Sequence, residues 1–427
     1  MTQSFTTKLG QWKGSLLAFA VGQPAVQVLN LLTGFLLLRW LSVAEFAMFG
    51  VAFAFQSTIN QLTDLGFSGS IVALAGERGT EPAWLGRYLR SARHYRGRMM
   101  LVTLVVASVV FPLLTWRQEW GVGTKLLLFG AIALAVVFQG RVLYGSPLLV
   151  HRRLRSYYQP QIVSAALRLC MCLGLHLTGM LSGWTAAWLG TLALGFVGLY
   201  YRRAARDCVQ EPAASVPEAN REMLSYLAPM IPGVAFGAIQ GQLTVAIITL
   251  FGSTERIAEV SALGRIGQIF LLLSAFNAVM IEPYIARLPE QMLPRRYVQI
   301  LGGAFVLAVV IGAVGFRFPR PLLWLLGSKY AGLERETGWI VASACVNYFI
   351  SVMWTMHAAR RWVYWWNTVV YISALVLVQV GCAITLDLSQ TMGVIWFSLI
   401  TALTVLGVQI ANGAYGFMRG IKKGPAG

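Results

Sequence analysis

Three arginines lie inside long apolar stretches of the sequence, where a permanent charge has few ordinary uses. Arg265 occurs in "SALGRIGQIFLLL", Arg141 in "FQGRVLYG" and Arg168 in "SAALRLCMCLG". One acid, Asp64 in "INQLTDLGF", occupies a comparable position. A charge at the centre of a membrane helix costs about 2.5–3.5 kcal/mol on insertion scales. Because one acid cannot neutralise three arginines, the sequence predicts that an anionic ligand supplies the missing charge.

The guanidinium group suits phosphate, because its planar fork of N–H donors matches two phosphate oxygens at once. The chemistry predicted for the three arginines is therefore binding of a phosphate-bearing substrate. Asp64 has two interpretations: an ion pair with Arg141, or the binding site of a coupling proton or sodium ion. The high cost of an unpaired acid in the membrane favours the ion pair.

Small polar residues accompany these charges at helical spacing. A helix face exposed to lipid is apolar, so a polar stripe indicates either a wet cavity or hydrogen bonds between helices. The cavity interpretation makes Gln27, Asn60, Ser261 and Gln268 candidate substrate contacts beside the arginines. The stripes consist of Gln23, Gln27 and Asn30; Ser57, Asn60 and Gln61; Gln161 and Ser164; and Ser261 and Gln268.

The residues that usually hold metals show no pattern. The four histidines and five cysteines are scattered along the chain without metal-ligand spacing. The sequence therefore predicts no catalytic centre, no metal and no cofactor. Coupling to a proton or sodium gradient is an open alternative that belongs to the second interpretation of Asp64.

The composition is that of a membrane protein, since 57% of the 427 residues are hydrophobic and 12% are charged. An apolar run of roughly 20 residues crosses a bilayer as one helix. The sequence therefore predicts an all-α polytopic membrane protein with twelve transmembrane helices. The predicted spans lie near residues 15–38, 44–75, 99–116, 124–148, 158–180, 182–201, 223–251, 257–286, 298–316, 337–358, 362–386 and 390–415.

The net charge of +18 could indicate nucleic-acid binding, but its distribution indicates membrane topology instead. Most of the 34 lysines and arginines fall in alternate loops, including the run "GRYLRSARHYRGR" (86–98). An excess of basic residues marks cytoplasmic loops. Both termini are therefore expected in the cytoplasm, the membrane lipids are the expected partner of the basic loops, and no nucleic-acid partner is expected.

One long polar segment, "RRAARDCVQEPAASVPEANRE" (202–222), divides the chain. It predicts an N-terminal six-helix lobe over 1–201, a cytoplasmic linker over 202–222 and a C-terminal six-helix lobe over 223–427. With six spans each, the lobes form a parallel repeat, and "LSVAEFAMFG" (41–50) aligns weakly with "GSTERIAEVS" (252–261). Prolines interrupt corresponding spans of the two lobes and are predicted hinges of a transporter: Pro24, Pro229 and Pro232.

Three stretches together resemble a known family. The first, residues 36–74, contains "DLGF" near the end of the second span, and the second, residues 226–269, contains Ser261, Ala262 and Arg265 in the family's pattern. The third is "LLWLLGSKYAGL" (322–333). In this order and spacing they resemble the polysaccharide transporters, the O-antigen (Wzx-type) flippases of the multidrug/oligosaccharidyl-lipid/polysaccharide (MOP) exporter superfamily.

The resemblance implies a V-shaped pair of lobes around a cationic cavity in the bacterial inner membrane. It implies a flippase that moves an undecaprenyl-diphosphate-linked oligosaccharide, an O-antigen or exopolysaccharide unit, from the cytoplasmic to the periplasmic leaflet. Arg265 and Asp64 match positions of the family, whereas the roles of Arg141 and Arg168 depend on the charge argument alone. A polysaccharide polymerase and other assembly proteins are the implied protein partners.

Two alternatives remain. A multidrug and toxin extrusion (MATE) exporter of the same superfamily would handle cationic compounds and would want acids in its cavity, whereas this core carries excess positive charge. A membrane-embedded polysaccharide polymerase or ligase would also bind a diphosphate lipid. Such enzymes typically have a large periplasmic loop, and the longest predicted outer loop here has about twenty residues.

The predicted orientation can be tested by labelling single cysteines in intact spheroplasts. Cysteines placed in the 118–124 and 252–256 loops should react with a membrane-impermeant thiol reagent, because these loops face outward. Cysteines placed in 202–222 should stay unlabelled. The reverse pattern would overturn the topology and with it the direction of transport.

Overall fold

A computed structural model describes residues 3–75, 81–214, 216–228, 230–286, 288–360, 362 and 364–423. Over this part of the chain the regular structure is entirely helical, which confirms the all-α prediction. The α-helices are α1 Gln3–Trp40, α2 Val43–Asp64, α3 Phe67–Ala75, α4 Pro82–Leu114, α5 Val122–Val142, α6 Gly145–Val150, α7 Leu154–Leu177, α8 Gly183–Ala204, α9 Pro217–Leu227, α10 Ile231–Phe251, α11 Thr254–Ala286, α12 Leu293–Arg317, α13 Pro319–Leu326, α14 Glu334–Ala359, α15 Trp365–Thr385 and α16 Thr391–Lys423.

Each of the twelve predicted spans coincides with a helix or with a broken pair of helices. Three spans predicted as continuous are broken, between α2 and α3, between α5 and α6, and between α9 and α10. The last two helices named differ in direction by 59°. By length and hydropathy alone, seven helices of the described chain can cross a membrane, or eight if this bent pair counts as one span.

Internal contacts divide the chain into two compact units, Met1–Leu250 and Phe251–Gly427. The first unit contains α1 to α9 and nearly all of α10. The second unit contains α11 to α16. This grouping places α10 with the N-terminal helices, while the functional division at 202–222 stays a prediction.

Close helix packing in the first unit depends on glycines of α8. A Cβ atom at Gly195 would lie 2.6 Å from the Phe138 ring of α5, and one at Gly198 would lie 2.8 Å from the Cβ of Arg141. Small residues let membrane helices approach closely, which gains van der Waals contact where no hydrophobic effect operates. The α5 and α8 helices therefore pack closely against each other.

The second unit is built around α14, which packs against α11, α12 and α16. His357 of α14 is fully buried, with Nε2 2.8 Å from the Tyr297 hydroxyl of α12 and Nδ1 3.0 Å from Oε1 of Gln409 in α16. Buried polar groups are stabilising when each has a partner. This network holds three helices in register within the unit.

The two units share one local arrangement. Ser42 precedes α2 and its hydroxyl accepts a hydrogen bond from the Glu45 amide, while Ser253 precedes α11 and accepts from the Arg256 amide. A serine in this place satisfies a free amide of the first helical turn. Glu45 then accepts a hydrogen bond from the Gly183 amide at the start of α8, and Glu259 accepts one from Thr391 at the start of α16. Because Glu45 and Glu259 do not align in the match of 41–50 with 252–261, the feature shared at equivalent positions is the serine cap.

The packing of α8 predicts a large effect at one glycine and little at another. Gly195→Leu should destabilise the protein by about 1–3 kcal/mol, because the new side chain overlaps the Phe138 ring. Gly174→Leu in α7 is the control, since a Cβ there meets nothing within 4 Å. Thermal unfolding in detergent measures both variants. Equal effects would contradict the packing argument.

Candidate functional site

Arg168 lies in the middle of α7 and faces α8. Its Cζ would be 3.5 Å from a Cβ atom built on Gly190, so the missing side chain of that glycine leaves room for the guanidinium group. Its Nε is buried and has no hydrogen-bond partner in the described part of the chain. None of the ion pairs among the described residues includes Arg168. The geometry therefore presents a cation that has no carboxylate partner among the described residues.

A first cavity, of about 270 Å³, lies between α2, α5 and α8 and has Arg168 in its wall. Gln56 donates to the Thr191 hydroxyl at 2.9 Å, and that hydroxyl donates to the Ala131 carbonyl at 2.9 Å. Gln139 keeps a buried Oε1 without a partner among the described residues. Asn60, a predicted substrate contact, is exposed and lines this cavity, as do Gln56, Ser57, Gln139 and Thr191. We call this space the polar cavity.

A second cavity, of about 260 Å³, lies on the other side of Arg168 and is lined by α1, α5, α7 and α8. Gln161 donates to the Tyr201 hydroxyl at 2.7 Å, and Ser164 donates to the Ala193 carbonyl at 2.9 Å. These two polar residues therefore act at least partly in helix packing. Asn30 of α1 lines the cavity, whereas Gln27 is partly buried and lies outside its lining.

The predicted ion pair of Asp64 with Arg141 is wrong. Asp64 pairs instead with Arg96 of α4, whose Nη1 lies 3.0 Å from Oδ1. The Arg96 side chain is 2% exposed and that of Asp64 is 28% exposed, so the pair is largely removed from solvent. The sequence had assigned Arg96 to a basic run at the lipid headgroups. The sequence feature that could have singled out Arg96 is its spacing of three residues from Arg93, which places both residues on one face of α4.

The "DLGF" stretch around this pair is a helix break. Leu65 and Gly66 adopt left-handed φ angles of 40° and 90°, which end α2 and begin α3 at Phe67. The Asp64 carboxylate accepts hydrogen bonds from the Ser68 amide at 3.3 Å and from its hydroxyl at 2.5 Å. Asp64 therefore satisfies a free donor at the start of α3 and neutralises Arg96 at once.

Arg141 lies in a different cavity from Arg168. This space of about 230 Å³, which we call the arginine cavity, is formed by α4, α5 and α8. Arg141 lies with its Cζ 5.8 Å from the Phe138 ring centroid. The other arginines in the wall are Arg93, Arg96 and Arg202. The two arginines that the sequence grouped into one cavity are thus separated within the first unit.

Arg265 lies in the second unit, in α11, and is 6% exposed. It donates a hydrogen bond from Nη1 to Oε1 of Gln268 at 3.0 Å, so the predicted polar face exists for these two residues. The hydroxyl of Ser261, one turn earlier, is buried without a hydrogen-bond partner among the described residues. Their role in substrate binding stays a prediction.

The predicted hinges fall in three different settings. Pro24 is exposed within α1, which continues through it as one helix. Pro229 lies outside the described residues. Pro232 occupies the first turn of α10, where proline removes no helical hydrogen bond, directly after the 59° bend. A break at the position of a predicted hinge is present, while its motion stays a prediction.

An apolar cavity of about 440 Å³ lies on the opposite side of α2. Its walls come from α2, α4 and α10, all in the first unit. Residues of α2 such as Val51, Phe55 and Leu62 face this space, whereas Gln56 and Asn60 face the polar cavity. Ile59 lines both. The helix therefore has one lipid-like face and one polar face, each beside an open volume.

The corrected ion pair leads to a double-mutant prediction. Asp64→Asn should destabilise the protein by about 3–5 kcal/mol, because it leaves the Arg96 charge buried alone. Combining Asp64→Asn with Arg96→Gln should restore most of the loss, whereas combining it with Arg141→Gln should not. Unfolding in detergent compares the three proteins. Equal rescue by both double variants would contradict the pairing.

Comparison of the fold with solved structures identifies membrane transporters. No protein-family model matches the sequence, and no curated protein matches it. An inward-facing multidrug resistance MATE family transporter of the MOP superfamily has a TM-score of 0.69 at 15% identity, over 96% of this chain and 100% of that chain. The lipid II flippase MurJ, in an inward closed conformation, has a TM-score of 0.64 at 12% identity, over 96% and 94%.

A third similar structure concerns the charge of the site. It is a MOP superfamily transporter from Pyrococcus furiosus, described as having a binding pocket of reverse polarity that suggests a different function. Its TM-score is 0.58 at 14% identity, over 94% of each chain. Identities this low establish the fold and not the substrate. The protein is thus a multi-pass membrane protein whose fold is the one seen in solved transporters of the MOP superfamily.

Proposed function

We propose that the protein is a flippase that moves a lipid-linked diphosphate oligosaccharide across the bacterial inner membrane, from the cytoplasmic to the periplasmic leaflet. The observation that carries the proposal is Arg168, a cation in the wall of the polar cavity with no acid among the residues lining that cavity. A diphosphate group would supply the missing negative charge and accept the free N–H of Nε.

The two cavities beside α2 suit the two parts of such a substrate. The polar cavity offers amide and hydroxyl groups that can hydrogen-bond sugars, and the apolar cavity offers a surface for a polyprenyl chain. Asn60 would contact the glycan, and Ile59 lies where the two environments meet. Arg265, Gln268, Ser261 and Gln27 are proposed further contacts, and Arg141 is a further cation for the phosphates.

A cation-exporting multidrug transporter is the second candidate, because MATE structures are as similar to this fold as MurJ is. The apolar cavity would also suit a drug. A cationic drug needs a nearby acid, however. No acid is among the described residues that line either cavity, and Asp64 at the end of α2 is already paired with Arg96. The positive character of the polar cavity therefore favours an anionic substrate over a cationic one.

The flippase proposal includes an ion-coupling residue and a protein partner. Asp64 remains a candidate for proton or sodium coupling only if its pair with Arg96 opens during transport. A polysaccharide polymerase would act on the product at the outer leaflet. We also propose that both chain termini lie in the cytoplasm.

Deletion of the gene separates the two candidates. A flippase predicts that the lipid-linked glycan accumulates on the cytoplasmic leaflet, measured by its resistance to a glycan-modifying enzyme added to intact spheroplasts. Plasmid expression of the wild type should restore access. Unchanged glycan exposure together with new sensitivity to cationic drugs would support the multidrug exporter and overturn the flippase.

Arg168 provides the residue-level prediction. Arg168→Lys should keep intermediate flipping activity, because lysine retains the charge without the bidentate fork. Arg168→Ala should lose tenfold or more, about the effect of a charge-assisted hydrogen bond of ~1.5–3 kcal/mol. Arg320→Ala is the control, since Arg320 is 84% exposed and pairs with Glu334 outside these cavities. Immunoblots of membranes check that the variants are present at equal levels. Full flipping activity in Arg168→Ala would show that Arg168 does not bind the substrate.

A further inference from the structure

The segment that joins the two predicted lobes is bound tightly along α4. The Gln210 amide donates to the Pro82 carbonyl at 2.9 Å, and Arg90 donates to the Ala213 carbonyl at 3.1 Å. A Cβ atom at Gly86 would lie 2.0 Å from the Gln210 carbonyl oxygen, so only glycine permits this approach. Backbone contacts therefore hold this segment against α4, and they fix where the neighbouring side chain of Glu211 lies.

This segment places one carboxylate at the edge of the arginine cavity. Oε2 of Glu211 lies 2.5 Å from Nη1 of Arg93, and Oε1 accepts a hydrogen bond from the Tyr144 hydroxyl at 2.7 Å. The Arg93 guanidinium also lies 5.8 Å from the Tyr144 ring centroid. Arg93 and Tyr144 both line the cavity. A carboxylate thus occupies one side of a cationic space.

The cavity retains positive charge after this contact. Four arginines line it, and the ion pairs among the described residues supply two carboxylates, Glu211 for Arg93 and Asp64 for Arg96. Arg96 is 1% exposed, and its Nε and Nη2 have no hydrogen-bond partner among the described residues. Buried donors without acceptors are costly unless a ligand or water satisfies them. The donors and the excess charge both point to an anion.

We propose that the arginine cavity is a second anion-binding site that takes a phosphate group, and that Glu211 is a built-in competitor which the phosphate displaces. A phosphate has the charge and the oxygen acceptors to contact Arg93, Arg96, Arg141 and Arg202 together. The cavity of about 230 Å³ is several times the roughly 30 Å³ occupied by one water, so it admits a hydrated phosphate or diphosphate. The site is separate from the polar cavity and does not depend on the flippase assignment.

Direct binding of inorganic diphosphate to the purified full-length protein tests the site. The protein is placed in phosphatidylcholine nanodiscs and titrated by calorimetry. Arg202→Gln should weaken binding by about tenfold, because an exposed side chain of the cavity wall loses one charge-assisted contact. Arg203→Gln is the matched control, since its side chain is also exposed and lies outside the cavity lining. Equal affinities of these two variants would overturn the site.

The competitor role of Glu211 has its own comparison. Glu211→Gln should tighten diphosphate binding by about tenfold, because the internal carboxylate no longer occupies Arg93. Glu222→Gln removes a carboxylate of the same segment that is bound to Tyr88 at 2.6 Å and lies outside the cavity lining. It should leave the affinity unchanged. Weaker binding in Glu211→Gln, or equal tightening in both variants, would overturn the competitor role.

Lipid composition distinguishes two sources of the phosphate group. Phosphatidylglycerol added to the nanodiscs should compete with diphosphate if a lipid headgroup is the natural ligand, and native mass spectrometry should then show a bound lipid that Arg202→Gln loses. Undiminished diphosphate binding identifies a soluble phosphate compound. Both results support the anion-binding site. The site is excluded if neither the wild type nor Glu211→Gln binds diphosphate in nanodiscs of either lipid composition. Because no transport is measured, a failed flippase assay leaves this result intact.

Discussion

A charge in the interior of a membrane protein must have a partner, because hydrocarbon offers none, and this constraint organises the first unit. Asp64 neutralises the buried Arg96 at 3.0 Å, and Glu211 neutralises the more exposed Arg93 at the edge of the arginine cavity. Each acid reaches its arginine from a break in the helical structure, one between α2 and α3 and one after α8. The ends of helices therefore decide which arginines are compensated.

The arginines that lack a described acid mark the places where a ligand could contribute. Arg168 lies between two cavities in the middle of the unit, and Arg141 lies in the arginine cavity near the helix ends. Under the proposed function, a phosphate-bearing substrate would meet the arginine cavity at the helix ends and the polar cavity in the middle of the unit. Two sites of moderate affinity suit transport better than one tight site, because a transported ligand must also leave.

Helix α2 connects the ion pair of Asp64 with both the polar cavity and the apolar cavity. Its apolar face lines the largest of the cavities described above, its polar face lines the cavity of Arg168, and its last residue is Asp64. A change at the Asp64–Arg96 pair would alter the end of the same helix that presents Asn60 and Ile59. The same helix therefore joins the Asp64–Arg96 pair to both the polar cavity and the apolar cavity.

The sequence by itself determined where the twelve apolar spans lie and which residues share a polar helix face, because both follow from periodicity. It did not predict the breaks within three of these spans, such as the one at Leu65 and Gly66. It also predicted one cavity for all seven candidate substrate contacts, of which Asn60 and Arg168 line the polar cavity together. The partner of Asp64 was decided only by the tertiary structure. Arg96 is 32 residues away in the sequence, and no local pattern favours Arg96 over Arg141 as the partner of Asp64. Which helix packs against a polar face depends on the rotation and register of helices far apart in the chain. For the same reason the sequence could not separate Arg141 from Arg168, or place Glu211 of the linker beside Arg93.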